Sequence, residues 1–191
     1  MRREQLTGVV LAGGRARRLG GIDKGLLAYR GRPLIRYALQ ALEPLCGEIL
    51  INANRNLADY RRFGHPVVPD ALPDFQGPLA GILAAMQQAE TPCLLVVPCD
   101  SPRLSATLLA RLPAALDDGH DIAIAHDGQR LHPVVMALRT HLADDLAAWL
   151  AAGRHKIDRW AGRHRWTAVD CSDHPDAFLN VNTPEDLHGT R

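Results

Sequence analysis

No apolar run of eighteen residues, no CxxC pair, no HExxH and no excess of one charge sign occur in this sequence. Each absence narrows the reading. Without such a run no helix is expected to span a bilayer, and Met1-Arg2-Arg3-Glu4-Gln5 passes directly into an apolar strand pattern rather than a signal-peptide region. Neither membrane insertion nor secretion is expected. The balance of 22 Lys+Arg against 21 Asp+Glu, a net charge of +1, provides no global field for nucleic acid or anionic lipid, so any anion site has to be local. Cys46, Cys93, Cys99 and Cys171 lack zinc-ligand spacing, and 191 residues with 47% apolar content bury a core without disulfide staples, which fits a reducing cytoplasm.

Several chemistries are excluded in the same way. The nine histidines form no metal-ligand spacing, and His120, His126, His132 and His141 read as surface positions in turns or at strand ends. Ser101, Ser105 and Cys99 have no G-x-S-x-G elbow and no recognisable base, so a covalent nucleophile is not supported. Nothing fits G-x-x-x-x-G-K-[ST], and the adjacent Gly13-Gly14 does not make G-x-G-x-x-G, so a P-loop NTPase and an NAD dehydrogenase both lose ground.

What is present is an alternation of short apolar runs with segments of helical period, the pattern of βα units feeding a largely parallel sheet, hence an α/β fold. Leu6 to Ala12 reads as the first strand and Glu48 to Ala53 as the second. Pro66 to Pro69 reads as a short third ending at Asp70. Cys93 to Val97 is apolar without alternation, as expected of a central strand covered on both faces. Ile122 to Ala125 and Val134 to Leu138 flank a turn at His126-Asp127-Gly128-Gln129. Helical stripes run through Leu34, Ile35, Ala38, Leu39 and Leu42, and through Leu79, Ile82, Leu83 and Met86. Leu108, Leu109, Leu112 and Leu116 form a third stripe capped by Ser105, and Leu146, Trp149 and Leu150 a fourth that stops at Ala152-Gly153. Thr183-Pro184 announces a C-terminal helix. With no repeat or linker, residues 1–191 are expected to form one domain.

Two features carry chemistry. The segment from Leu11-Ala12-Gly13-Gly14 to Lys24 lies in a first βα connection of about twenty residues where ordinary βα loops have roughly two to six, and it starts at the carboxyl end of a strand, where open α/β sheets bind ligands. Its glycines let backbone N–H groups approach phosphate, and Arg15, Arg18 and Lys24 supply charge-assisted donors. The bland alternative is a solvated basic loop. Asp100, at the end of the central strand, is a natural Mg²⁺ ligand, because magnesium takes one or two carboxylates and completes its shell with water and phosphates. The competing role is a turn with Ser101-Pro102. Asn52 is a candidate for a base or sugar contact. Gly77-Pro78-Leu79 opens a helix whose free N–H groups suit a base edge or phosphate, or serves only as a helix start. Trp149, Trp160 and Trp166 read as packing, with Trp160, beside Lys156 and Arg159, the one retained as a base-stacking candidate.

These segments together resemble the molybdenum cofactor guanylyltransferase family across the chain: Val9-Val10-Leu11-Ala12-Gly13-Gly14, Gly20-Gly21-Ile22-Asp23-Lys24-Gly25, Asn52-Ala53-Asn54, Gly77-Pro78-Leu79-Ala80-Gly81, Cys99-Asp100-Ser101-Pro102 and Asn180-Val181-Asn182-Thr183-Pro184-Glu185-Asp186. The resemblance implies a three-layer, Rossmann-type nucleotidyltransferase fold with a mostly parallel central sheet and helices on both faces. It implies a GTP site in which Leu11, Ala12 and Gly13 line the nucleotide, Lys24 holds phosphate, Asn52 and Asp70 face the guanosine and Asp100 binds Mg²⁺. Asn180 and Asn182 fall on the pterin side, with a basic segment after Gly153. There this chain has His155 where the family more often has Arg, which leaves Arg154 and Lys156 as the basic groups. Lys24, Asp100 and Arg18 are the expected catalytic residues. The reaction implied is GMP transfer from GTP to molybdopterin. GTP and molybdopterin are the expected partners, with molybdenum-insertion proteins and acceptor molybdoenzymes beyond them, and a monomer is expected. The rivals are a cytidylyltransferase acting on the same pterin, a sugar-1-phosphate nucleotidyltransferase, and a nucleotide-binding module without catalysis.

Overall fold

A computed structural model of the chain describes residues 1–12, 23–70 and 77–181. The apolar runs form the middle of a sheet: β1 (Leu6–Leu11), β4 (Glu48–Asn52), β5 (Val67–Val68), β6 (Cys93–Pro98), β7 (Ile122–His126), β8 (Leu131–Arg139) and β9 (Trp166–Asp170). A separate two-strand ribbon, β2 (Ala28–Tyr29) with β3 (Arg32–Pro33), sits inside the first connection. Among the described residues the large sheet has seven strands in the order β5-β4-β1-β6-β8-β7-β9. All neighbours are parallel except β8, which runs antiparallel to both β6 and β7.

The continuous apolar sequence of β1 and β6 has a direct cause in the packing, because successive side chains enter opposite cores. Val10, Leu95 and Val97 pack with Ile35 and Leu39 of α1 (Leu34–Leu42), with Leu108 and Leu109 of α4 (Ala106–Leu109) and with Leu112 and Leu116 of α5 (Arg111–Asp117). Val9, Leu94 and Val96 face the other way. They meet Leu79, Ile82 and Leu83 of α3 (Pro78–Gln88), Leu146 and Leu150 of α6 (Ala143–Ala151), and Ile157 and Trp160 of α7 (Ile157–Ala161). Helix, sheet and helix therefore form three layers, as expected.

Strand order decides where a ligand can enter. After β1 the chain moves outward through β4 and β5, then returns to the other side of β1 to lay down β6. The first crossovers thus diverge between β1 and β6, whose ends meet as Leu11 beside Pro98, with Cys99 N–H donating to Leu11 O at 3.1 Å. Such a switch point leaves a crevice at the carboxyl ends of the strands.

Several expectations change in detail. The predicted third strand narrows to Val67–Val68, and the strand expected at Val134 to Leu138 extends to Leu131–Arg139 across a register shift near Ala125. The single stripe from Leu108 to Leu116 belongs to two helices, which meet at Ala110. Ser105 does cap the first of them, accepting from Leu108 N–H at 3.3 Å. The pattern did not announce α2 (Leu57–Arg61), α7 or β9. The first two have five residues each, and β9 is an edge strand of alternating exposure, so none carries an extended apolar signal.

Trp160 is not a surface base-stacking group. It is wholly buried, and its indole N–H donates to Asp145 at 2.9 Å. Trp160→Phe, which removes that donor and part of the ring volume, is expected to cost about 1–3 kcal/mol. A fall in Tm of several degrees checks it, while an unchanged Tm would contradict the packing described.

Candidate active site

A lysine, a carboxylate and a pinned second carboxylate lie at the carboxyl ends of the strands flanking the switch point. Lys24 lies on a short 3-10 turn (Lys24–Leu26), and its Nζ donates to Asp100 Oδ2 at 2.6 Å. Both side chains are about one-fifth exposed, at 21% and 17%. The other Asp100 oxygen, Oδ1, is buried and has no hydrogen-bond partner among the described residues. A buried carboxylate oxygen left open beside a cation is costly unless a ligand completes it. The described residues contain no group of three or more His, Cys, Asp or Glu able to hold a metal. Asp100 alone fits a hard cation such as Mg²⁺, which takes one or two carboxylates and completes its shell with water and phosphate oxygens.

The second carboxylate belongs to Asp70, half-buried after β5. Asn52 Nδ2 donates to Asp70 Oδ1 at 2.8 Å and to Val68 O at 3.1 Å, while Asn54 Nδ2 donates to Asp70 Oδ2 at 2.8 Å. Asn54 Oδ1 accepts the Asp70 N–H at 2.8 Å. Each Asp70 oxygen thus takes one amide hydrogen and retains a lone pair for another donor. Asn52 itself is 3% exposed, with both amide hydrogens engaged internally, so its part here is to orient Asp70. The carboxamide lies directly against Gly81 of α3, where a Cβ would overlap the Asn52 oxygen.

Among the described residues the buried polar side chains are Thr7, Asp23, Asn52 and Ser101. All but Thr7 lie at this edge, a concentration that a purely apolar packing role would not produce. Ser101 Oγ donates to Asn180 Oδ1 at 2.7 Å, and Val181 N–H donates to Asp100 O at 2.9 Å. These bonds bring the 180–181 segment onto the Asp100 turn. The same segment is held at Phe178, whose ring stacks on His132 with centroids 4.1 Å apart.

His132 corrects the expectation of a surface histidine, because its side chain is only 12% exposed. Its Nε2 lies 2.7 Å from Asp127 Oδ2, and the carboxylate can only accept, so Nε2 carries the proton. The signal available in sequence was a histidine breaking the apolar run of β8. Asp127 is held well below the usual carboxylate range, first by the His132 bond and then by the backbone N–H groups of Arg130 and Gln129. A depressed carboxyl pKa contributes stability above its unfolded value of 3.8 and loses it as pH falls through the folded value. Asp127→Asn is therefore expected to flatten the decline of the urea midpoint below about pH 4. An acid profile identical to that of the unmutated protein would refute this.

Other expected residues are distributed as follows. Leu11 is partly exposed at the end of β1, Ala12 is buried behind it, and Ala12 N–H donates to Asn52 O at 2.8 Å. Gly77 and Pro78 are exposed at the start of α3, whereas Leu79 is wholly buried and packs in the core. Asn180 is exposed apart from its Ser101 bond. Arg154 lies over Trp149 at 4.9 Å, with His155 and Lys156 exposed beside it. Gly13, Gly14, Arg15, Arg18, Asn182 and the helix expected from Thr183 lie outside the described residues. Cys99, next to Asp100, is a buried thiol whose pKa is pushed upward by burial and then by the Asp100 charge. A buried thiol of this kind is a poor nucleophile.

Residues 8–168 match the family described as the MobA-like NTP transferase domain. A protein of Shewanella sediminis named molybdenum cofactor guanylyltransferase is 48% identical over 182 residues, 95% of this chain and 93% of its own length. One of the same name from Shewanella amazonensis is 48% identical over 96% of this chain and 94% of its own. Among solved structures, molybdopterin-guanine dinucleotide biosynthesis protein A from Archaeoglobus fulgidus superposes with a TM-score of 0.78 at 22% identity, covering 95% of both chains. The 4-diphosphocytidyl-2C-methyl-D-erythritol synthase of Anaerococcus prevotii superposes with a TM-score of 0.75 at 11% identity, over 97% of this chain and 93% of its own. At these identities the two structures bear on the fold alone.

Proposed function

The chain belongs to the MobA-like NTP transferase family and is a nucleotidyltransferase, and we propose that it transfers GMP from GTP to the terminal phosphate of molybdopterin, forming molybdopterin guanine dinucleotide and pyrophosphate. The observation that carries this reading is the meeting of Lys24 with Asp100 at the switch point, where one Asp100 oxygen is left open. The name shared by relatives at 48% identity supports the choice of acceptor.

An acceptor phosphate oxygen forms the new bond to the α-phosphorus of GTP as the bond to the β-phosphate oxygen breaks, and the electron pair leaves with pyrophosphate. No covalent enzyme intermediate is required. The protein's work is alignment of two anions and compensation of their charge. Lys24 turns from Asp100 to the triphosphate, assisted by the amides of Gly13 and Gly14 and by Arg15 and Arg18. Asp100 would hold Mg²⁺ through its open oxygen, and the ion would neutralise charge on the phosphates. Asn180, Asn182 and the Arg154 to Lys156 segment serve the pterin side, and Asn180 is already bonded to Ser101 beside Asp100. Leu11, Gly77 and Pro78 frame the nucleotide, with Ala12 and Leu79 packed behind them. Residues 1–191 act as one catalytic unit, in the cytoplasm.

Base choice follows from Asp70. Its carboxylate, pinned by Asn52 and Asn54, accepts hydrogen bonds and offers none. The guanine edge presents two adjacent donors, N1–H and the N2 amino group, to such an acceptor. Cytosine presents one amino donor beside acceptor atoms, which a carboxylate repels. Pyrophosphate release with purified molybdopterin and either GTP or CTP tests reaction and base together. Turnover with GTP is expected, and turnover with CTP but not GTP would overturn the assignment.

A further inference from the structure

We propose that Tyr60 is a positioning residue for nucleotide transfer: its hydroxyl grips both neighbours of Lys24 and so aims that lysine at the phosphate site. The proposal rests on the assignment of Lys24 to the triphosphate. Tyr60, on α2, is wholly buried. Its hydroxyl donates to Asp23 Oδ1 at 2.5 Å, and Asn56 Nδ2 approaches Asp23 Oδ2 at 3.4 Å. On the other side of Lys24, a Cβ on Gly25 would stand 2.6 Å from the same Tyr60 hydroxyl oxygen, so residue 25 already lies against it with no room for a side chain.

A carboxylate next to a phosphate-binding lysine needs a reason, since an exposed one would repel the triphosphate. Asp23 is 5% exposed, and its charge is turned inward to Tyr60. Within the turn itself the backbone gives weak definition. Its backbone bonds are Leu26 N–H to Asp23 O at 3.1 Å and Leu27 N–H to Lys24 O at 3.2 Å, the pattern of a three-residue 3-10 turn. Such turns have poor hydrogen-bond geometry and depend on their surroundings. Burial and the Asp23 bond both push the Tyr60 phenol upward, so the hydroxyl stays a donor. The route is continuous: Tyr60 fixes residues 23 and 25, and the side chain between them reaches Asp100 at 2.6 Å.

Tyr60→Phe retains the ring and deletes the grip. With GTP and Mg²⁺ but no acceptor, calorimetry is expected to show GTP affinity reduced about tenfold or more, the usual scale for losing a partner that orients a binding group. In the Lys24→Ala background the same change is expected to have no further effect, since the two act through one interaction. Asp23→Ala is the second variant, expected to match Tyr60→Phe and to add nothing to it; Tm is recorded for every protein. Tyr60→Phe with native GTP affinity, or a loss that persists in full in the Lys24→Ala background, would overturn the proposal. Should Tyr60→Phe not fold, native affinity in Asp23→Ala would overturn it equally. The binding arm needs no molybdopterin, so failure of guanylyl transfer in the unmutated protein refutes the proposed function and leaves the test of Tyr60 readable.

Discussion

Asp100→Ala is expected to retain weak GTP binding while kcat for pyrophosphate release falls by roughly 10²–10³-fold or more, the scale on which removal of one preorganised electrostatic group acts. The two effects separate because Asp100 serves two purposes. In the free protein its Oδ2 pairs with Lys24, and loss of that partner leaves the lysine charge available to phosphate. Binding therefore survives in part. Oδ1, buried and open among the described residues, is what would hold Mg²⁺, and the described residues contain no cluster of three or more acidic, histidine or cysteine side chains able to hold a metal. A nucleotide-binding module without catalysis would not need this oxygen, so full turnover in Asp100→Ala would remove the enzymatic reading of the site.

Gly81→Ala sets two opposed effects against each other. In a helix interior, alanine for glycine is favourable by about 0.8–1 kcal/mol on propensity alone. Here the added Cβ would overlap the Asn52 carboxamide, which is 3% exposed and has no free volume to enter. Overpacking costs about 1–3 kcal/mol, and displacing Asn52 breaks its bond to the Asp70 carboxylate, which is worth about 1.5–3 kcal/mol for a charged partner. The steric side prevails. The expected result is a lower Tm together with a KM for GTP raised about tenfold or more, because Asp70 loses one of the two amides that orient it. A stabilised Gly81→Ala protein with unchanged KM would show that Asn52 does not set the geometry of Asp70.

The legible parts of the fold are those in which one segment carries its own signal. Cys93 to Val97 reads as a central strand because both of its faces are apolar, and β6 is buried between two cores. Ser105 caps a helix through its own hydroxyl, and Asp127-Gly128 makes its turn locally, with Gly128 at φ +93°. In contrast, α2, α7 and β9 are too short to show a period. The division of the Leu108 to Leu116 stripe at Ala110 depends on tertiary seating, because α5 packs on β7 and β8 whereas α4 packs on α1. The burial of Trp160 and His132 is not legible locally, because each needs a distant acceptor for a ring N–H. Asp145 and Asp127, which satisfy those atoms, sit 15 and 5 residues away, and sequence proximity to charged neighbours does not reveal them.

For the site, the sequence by itself determined the inventory and the order: a lysine after a glycine-rich connection, Asn52 and Asp70 at strand ends, Asp100 after the central strand, Asn180 near the C-terminus. Strand-end position is a local property, and a strand's carboxyl end is where a ligand can reach it. Tertiary structure alone decided which of these residues touch. The order β5-β4-β1-β6 brings Lys24 within 2.6 Å of Asp100 across 76 residues of chain. It turns Asn52 inward to pin Asp70 and seats Leu79 in the core. It also makes Tyr60, a residue with no motif around it, the floor beneath Lys24. Contacts of this kind arise from how layers pack, and no single segment of the chain encodes them.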